Sequence, residues 1–253
     1  MLSSKWTQKQ IHRKHFWIAP WESSKKEKAL KEFAIQKKLG RPYAPKVFKL
    51  KKRPFLWSLE QEKLKGPFLD QILRDGKTLP LCPREVTQQT LRILERLHCK
   101  DLVHGDLAPE HIALCARHKK KKPFVSLIDF GTSAHELLRP KIGWAPEGKI
   151  RYASPARLQG APSVPADDLF SLSVIAYEMV FRSPWTPYPE RKLCLADRQR
   201  YLLQRIQELL EDEDCPKWVK KGFYLSLSLG ARATDWMDTH KDRCFRAAKI
   251  HAK

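Results

Sequence analysis

Two acidic segments constrain this chain more than anything else in it. The first, HGDLAPEHI, runs from His104 to Ile112, and the second, IDFG, from Ile128 to Gly131. Between Asp106 and Asp129 lie 22 residues, positions 107 to 128. Within that span two short apolar runs, HIALC and FVSLIDF, flank a basic stretch, Arg117 to Lys122. Runs of that length around a polar loop read as a strand hairpin. Asp106 then sits in a loop between a helix and a strand, and Asp129 at the end of the next strand. Two carboxylates mounted in this way are suited to chemistry, because strand ends and short loops fix side-chain direction.

The remaining pattern divides into a small strand-rich part and a larger helical part. FWIA, Phe16 to Ala19, reads as a strand, and Ser24 to Leu39 as a helix with Ser23 or Ser24 as N-cap, an apolar stripe of Leu30, Phe33, Ala34 and Leu39, and a closing Gly40. Val47 to Leu50 and Phe55 to Glu62 read as strands joined by KKRP. A short helix follows over Leu69 to Leu73. A longer one covers Pro83 to His98, with Val86, Leu91, Leu94 and Leu97 on its buried side. Helical periodicity then marks Leu169 to Phe181, Asp197 to Leu210, Pro216 to Ser228 and a short segment near Phe245. The join falls near Glu62 to Gly66, so the expected units are residues 1–63 and 64–253. The expected class is α+β.

Composition closes off several alternatives. The chain has 253 residues, 42% of them apolar, enough for a core. Its longest strongly apolar stretch, about Ser171 to Phe181, is too short to cross a bilayer. MLSSKWTQKQ has no apolar segment of the kind a signal peptide needs, so the expected location is cytoplasmic. The six cysteines include no CxxC pair and make no disulfide framework. The formal charge of +21 favours polyanionic partners, and residues 117–122 are the densest basic cluster. No aromatic residue interleaves those lysines, so a stacking platform for single strands is missing there.

A third segment completes the pattern: YASPARL, Tyr152 to Leu158, followed by DDLFSLSVIAYEM from Asp167. With the three segments in this order the chain resembles the protein-kinase superfamily, and its activation segment is most similar to eukaryotic-like Ser/Thr kinases. The resemblance spans about Glu32 to Arg243. It implies a two-lobed fold with a small strand-rich N-lobe and a larger helical C-lobe. It also implies ATP with Mg²⁺, or Mn²⁺, as cofactors and a protein Ser/Thr hydroxyl as acceptor. By the same resemblance Asp106 is the base that receives the hydroxyl proton, and Asp129 a metal ligand. His111 stands where a second metal ligand is usual. Glu32 matches the helix acid that pairs with a phosphate-gripping lysine. Glu62 to Leu64 match the hinge that bonds the adenine edge, and Gln61 would guard the space behind it. Asp168, with Asp167 as the alternative, would anchor the catalytic loop. Arg243 resembles a late C-lobe arginine.

The departures define the competing readings. No glycine precedes Gly40, so no glycine-rich loop is visible. Ala19 occupies the strand position where the lysine is expected, and Lys14, 18 residues before Glu32, is the substitute. Gly105 replaces the arginine that reads a phosphorylated activation segment, and Ala108 replaces a lysine aimed at the transferred phosphate. Ala156 removes the acid that Arg243 would pair with. Imidazole suits softer divalent metals better than Mg²⁺. One alternative is a pseudokinase that binds or scaffolds. The other is a kinase acting on a small molecule or glycolipid, since HGDL and His111 are similar to features of lipopolysaccharide kinases.

Overall fold

The structure is a computed structural model, described here over residues 11–19, 21–116, 123–135, 150–185, 194–228 and 231–237. It is an α+β fold: a small antiparallel sheet with one helix, followed by a larger helical portion. The sheet contains β1 (Ile11–Trp17), β2 (Val47–Arg53) and β3 (Leu56–Glu62) in the order β1-β3-β2. Lys14 on β1 faces Leu59 on β3, which faces Leu50 on β2. The first strand therefore starts five residues before Phe16 and ends at Trp17, two residues short of Ala19. Seven consecutive pairings to β3 define it, and the apolar FWIA run is only its end. Ala19 lies beyond the strand, where its N–H donates to the Glu22 carboxylate.

Helix α1 (Ser23–Leu39) crosses the inner face of the sheet. Its buried residues are Ala29, Glu32, Ile35 and Gln36, whereas Leu30 is exposed. The expected stripe of Leu30, Phe33 and Ala34 is thus rotated away from the protein. The reason is chemical: two of the four buried residues, Glu32 and Gln36, are polar and meet polar partners, while Ile35 joins the apolar core and Leu39 packs against it. The N-cap also differs, with Glu22 preceding the helix and making no side-chain cap.

The chain leaves the sheet through residues 63–68. Gly66 has φ +149°, and a Cβ there would lie 2.0 Å from the Leu114 carbonyl oxygen. Only glycine permits this approach, which lets Lys65 O and Pro67 O accept from Ala116 and Leu114. Next come α2 (Leu69–Arg74) and α3 (Pro83–His98). Cys82 caps α3 reciprocally with Glu85, and Pro83 opens it. Val86, Leu91, Leu94 and Leu97 are all buried, matching the apolar spacing read from the sequence.

Beyond α3 lie β4 (Leu102–Val103), β5 (Ile112–Cys115), β6 (Phe124–Leu127) and β7 (Ala134–His135). β5 pairs antiparallel with β6, and β4 with β7. Helices α4 (Pro155–Leu158), α5 (Pro165–Phe181), α6 (Leu195–Glu211), α7 (Lys217–Ser226) and α8 (Ala233–Met237) complete the C-terminal part. Its core packs α3, α5 and α7, with the Phe170 and Phe223 rings 5.8 Å apart and Trp185 5.3 Å from Phe223. No helix among the described residues is long and apolar enough to cross a membrane. The basic loop 117–122, Arg243 and the helix expected near Phe245 lie outside the described residues.

Candidate active site

β1, α1 and the two acidic turns converge between the sheet and the helical part. Lys14 Nζ lies 2.9 Å from Glu32 Oε2 and 2.9 Å from Asp129 Oδ1. One ammonium therefore bridges the helix and the second acidic turn. Burial works against this cation, yet the two carboxylates outweigh it and hold the Lys14 pKa above the usual lysine value. Burial likewise opposes charge on Asp129, but Lys14 holds its carboxyl below the usual range. Glu32 is almost wholly buried, and that burial pushes its carboxyl upward against the pull of Lys14. Asp129 has φ +63°, the left-handed region that aspartate tolerates better than bulky residues. Phe55, Asp101 and Arg182 share this region of φ.

The first acidic turn is joined to this cluster by His111. His111 Nδ1 donates to the Asp106 carbonyl at 2.6 Å. Its other ring nitrogen, Nε2, is 3.9 Å from Asp129 Oδ2 and 3.9 Å from Glu110 Oε1. The Asp106 side chain is half-buried. Beside this turn opens a cavity of about 480 Å³, lined among others by Pro109, Glu110, Arg151, Tyr152 and Glu178. Glu178 accepts from Tyr152 Oη and the Trp185 N–H, both at 2.9 Å, so the cavity wall is fixed.

A model of the protein kinase domain matches residues 2–231. The chain belongs to the protein kinase family. Human 3-phosphoinositide-dependent protein kinase 1 is 31% identical over 123 residues, 47% of this chain and 21% of that protein. The serine/threonine-protein kinase PknA of Corynebacterium glutamicum is 30% identical over 129 residues, 49% of this chain and 26% of that protein. A calcium and calcium/calmodulin-dependent serine/threonine-protein kinase of Lotus japonicus is 32% identical over 120 residues, covering 47% and 22%. The matched region is thus about a quarter or less of each of these three relatives.

Residues 62–64, expected from the sequence to form the hinge, begin at the end of β3. Glu62 ends β3, its N–H donates to Lys46 O, and its carboxylate pairs with Arg41. Leu64 is half-buried. Among the described residues, no backbone–backbone hydrogen bond engages Lys63 or Leu64. Behind this segment Gln36 Nε2 donates to Gln61 Oε1 at 2.7 Å, and both side chains are buried. Gln36 Oε1 has no partner among the described residues.

The loop that carries Asp106 is held by Asp168 rather than Asp167. Asp168 Oδ2 accepts the His104 N–H at 2.8 Å and Oδ1 the Gly105 N–H at 3.0 Å. His98 Nε2 donates to Asp168 at 3.0 Å, and its Nδ1 accepts the Ala233 N–H at 3.3 Å. Burial opposes the Asp168 charge, but these donors hold its carboxyl below the usual range. Asp167 instead accepts from Ser154 Oγ and the Val164 N–H. The resemblance put Asp168 first and Asp167 as the alternative, and both prove buried. The His98–Ala233 link was invisible in the sequence, since it joins residues 135 apart.

His104 carries a testable pH dependence. Its Nε2 donates to Ile128 O at 3.3 Å and its Nδ1 accepts the Asp106 N–H at 3.4 Å, so the ring is neutral. Complete burial pushes its pKa down to about 4 from 6.5. The unfolded chain takes up this proton below pH 6.5, and the folded chain only near pH 4. Stability from this group is therefore present above pH 6.5 and lost as pH falls to 4, by about 3 kcal/mol. Burial raises Asp167 to about 6, and that group acts in the opposite direction between about pH 6 and 4. The two effects oppose each other in the wild type. Urea midpoints of wild type and His104→Gln should therefore converge by about 3 kcal/mol between pH 7 and 4. A constant gap would show that His104 does not titrate in this way.

Proposed function

We propose that this kinase domain transfers the γ-phosphoryl group of ATP to a Ser or Thr hydroxyl of a protein substrate. The observation that carries the reading is the Lys14 ammonium, 2.9 Å from both Glu32 and Asp129. Lys14 steers the phosphates, and Glu32 positions Lys14. The open backbone at Lys63 and Leu64 bonds the adenine edge, flanked by Glu62. Residues 1–63 form the N-lobe and 64–253 the C-lobe of one catalytic domain.

The donor set suits a divalent cation held jointly with phosphate. Asp129 offers a carboxylate, 37% exposed, and His111 a ring nitrogen, Nε2, 3.9 Å away. No group of three or more His, Cys, Asp or Glu is poised for a metal among the described residues. Phosphate oxygens and water would complete the shell, as Mg²⁺ prefers, and the imidazole makes Mn²⁺ a good alternative. The bound cation supplies charge neutralisation on the phosphates. Asp106 receives the proton of the acceptor hydroxyl as its oxygen bonds phosphorus and the bond to ADP breaks. The acceptor segment lies along the cavity beside Pro109 and Glu110. The setting is cytoplasmic, and the basic loop 117–122 contacts polyanions.

One observation favours a second reading, a binding or scaffolding module. Ala108 is fully buried and offers no cation to the transferred phosphate. A thermal melt with ATP separates the two, with no metal, Mg²⁺ or Mn²⁺. A ligand at a hundredfold excess over Kd stabilises by about 2.7 kcal/mol. The wild type should show a metal-dependent shift, and Asp129→Ala should lose it. No shift with either metal would refute the nucleotide site.

A further inference from the structure

Three large aromatic side chains project from one end of the N-terminal sheet. Trp17 is 71% exposed, Trp21 81% and Phe55 57%, while Trp185 and Trp236 are buried. They come from the end of β1 and two adjoining connections. Trp17 pairs with Leu56, and the Ile18 N–H donates to Phe55 O at 3.0 Å. Phe55 holds φ +62°, a left-handed conformation that is unusual for a bulky side chain. A turn free to choose would place glycine or asparagine there. An exposed ring is thus kept at a strained position.

Cations flank these rings on both sides. Lys52 and Arg53 precede Phe55, and Lys25 and Lys26 follow Trp21, whereas the neighbouring Lys51 is held by Glu60 at 2.6 Å. Across positions 17–26 and 51–56 the only carboxylate is Glu22, which is engaged by Lys25 and the Ala19 N–H.

We propose that this aromatic tip docks the protein on an anionic lipid bilayer. The rings would enter the interfacial zone, where indoles partition, while the cations stay among the headgroups. Two features favour a bilayer over a macromolecular partner. The rings protrude rather than line a groove, and a bilayer needs no complementary pocket. They also come from a strand end and two connections, rather than following one another along a strand as successive stacked bases would require.

The test is co-sedimentation of the full chain with vesicles of phosphatidylcholine alone and of phosphatidylcholine with phosphatidylserine. Binding should require phosphatidylserine and weaken with salt. Trp17→Ser/Trp21→Ser should reduce it about tenfold or more without changing the melting temperature, because both side chains are exposed. Lys52→Glu/Arg53→Glu should weaken it similarly, as an independent check on the charge. The proposal is overturned if no vesicle is bound, or if binding survives the double tryptophan change but is lost when Lys119 to Lys122 become alanine. It is also overturned if the tryptophans prove necessary for binding single-stranded RNA and unnecessary for vesicles. Kinase activity enters none of these readouts.

Discussion

Lys14→Met should lower phosphoryl transfer by about 10²–10³-fold, the scale on which a preorganised charge at a reacting centre acts. The same substitution should destabilise the fold, because Glu32 is left with a side chain only 2% exposed and without its cation. Removing one partner of a buried pair strands the other, and the cost is about 1–3 kcal/mol after Glu32 takes up a proton. The double variant Lys14→Met/Glu32→Gln tells the two effects apart. It removes the stranded charge, so the urea midpoint should return most of the way towards wild type. Single-turnover transfer should stay as low as in Lys14→Met. Were transfer to recover with stability, Lys14 would be a structural ion pair and the proposed phosphate contact would fail.

Asp106→Asn should leave the ATP-induced melting shift intact while lowering kcat by about 10²–10⁴-fold. An amide has the shape of the carboxylate but cannot accept the hydroxyl proton. The His111 ring bonds the Asp106 backbone carbonyl, so that contact survives the substitution. Asp129→Ala should fail earlier, at metal-dependent nucleotide binding, and Lys14 would lose one of its two carboxylates. Full transfer by Asp106→Asn would remove Asp106 from the proposed chemistry.

The acidic turns were legible because their information is local. HGDL and IDFG name their own geometry, and the apolar spacing of α3 specifies its buried face without help from distant residues. The strand and helix around Lys14 were read less well, for one shared physical reason. Pattern reading assumes that buried positions are apolar. On α1 the buried positions include Glu32 and Gln36, whose partners Lys14 and Gln61 lie 18 and 25 residues away. The apolar residues Leu30 and Trp17, which drew attention in the sequence, are exposed. Tertiary pairing thus inverted the hydrophobic code at the element that builds the site. The early start of β1 followed from the same cause, since its inward position is a lysine rather than an apolar residue.

The hydrogen-bond chain from Gly105 through Asp168 and His98 to Ala233 sets an order on synthesis. Domains generally fold as they emerge, N-terminal parts first. Both acidic turns leave the ribosome about a hundred residues before Ala233 does. Until then His98, which bonds the Asp168 carboxylate, lacks the donor to its Nδ1. The growing chain therefore holds the loop bearing Asp106 through Asp168 before the support behind His98 is complete, and α8 brings that support.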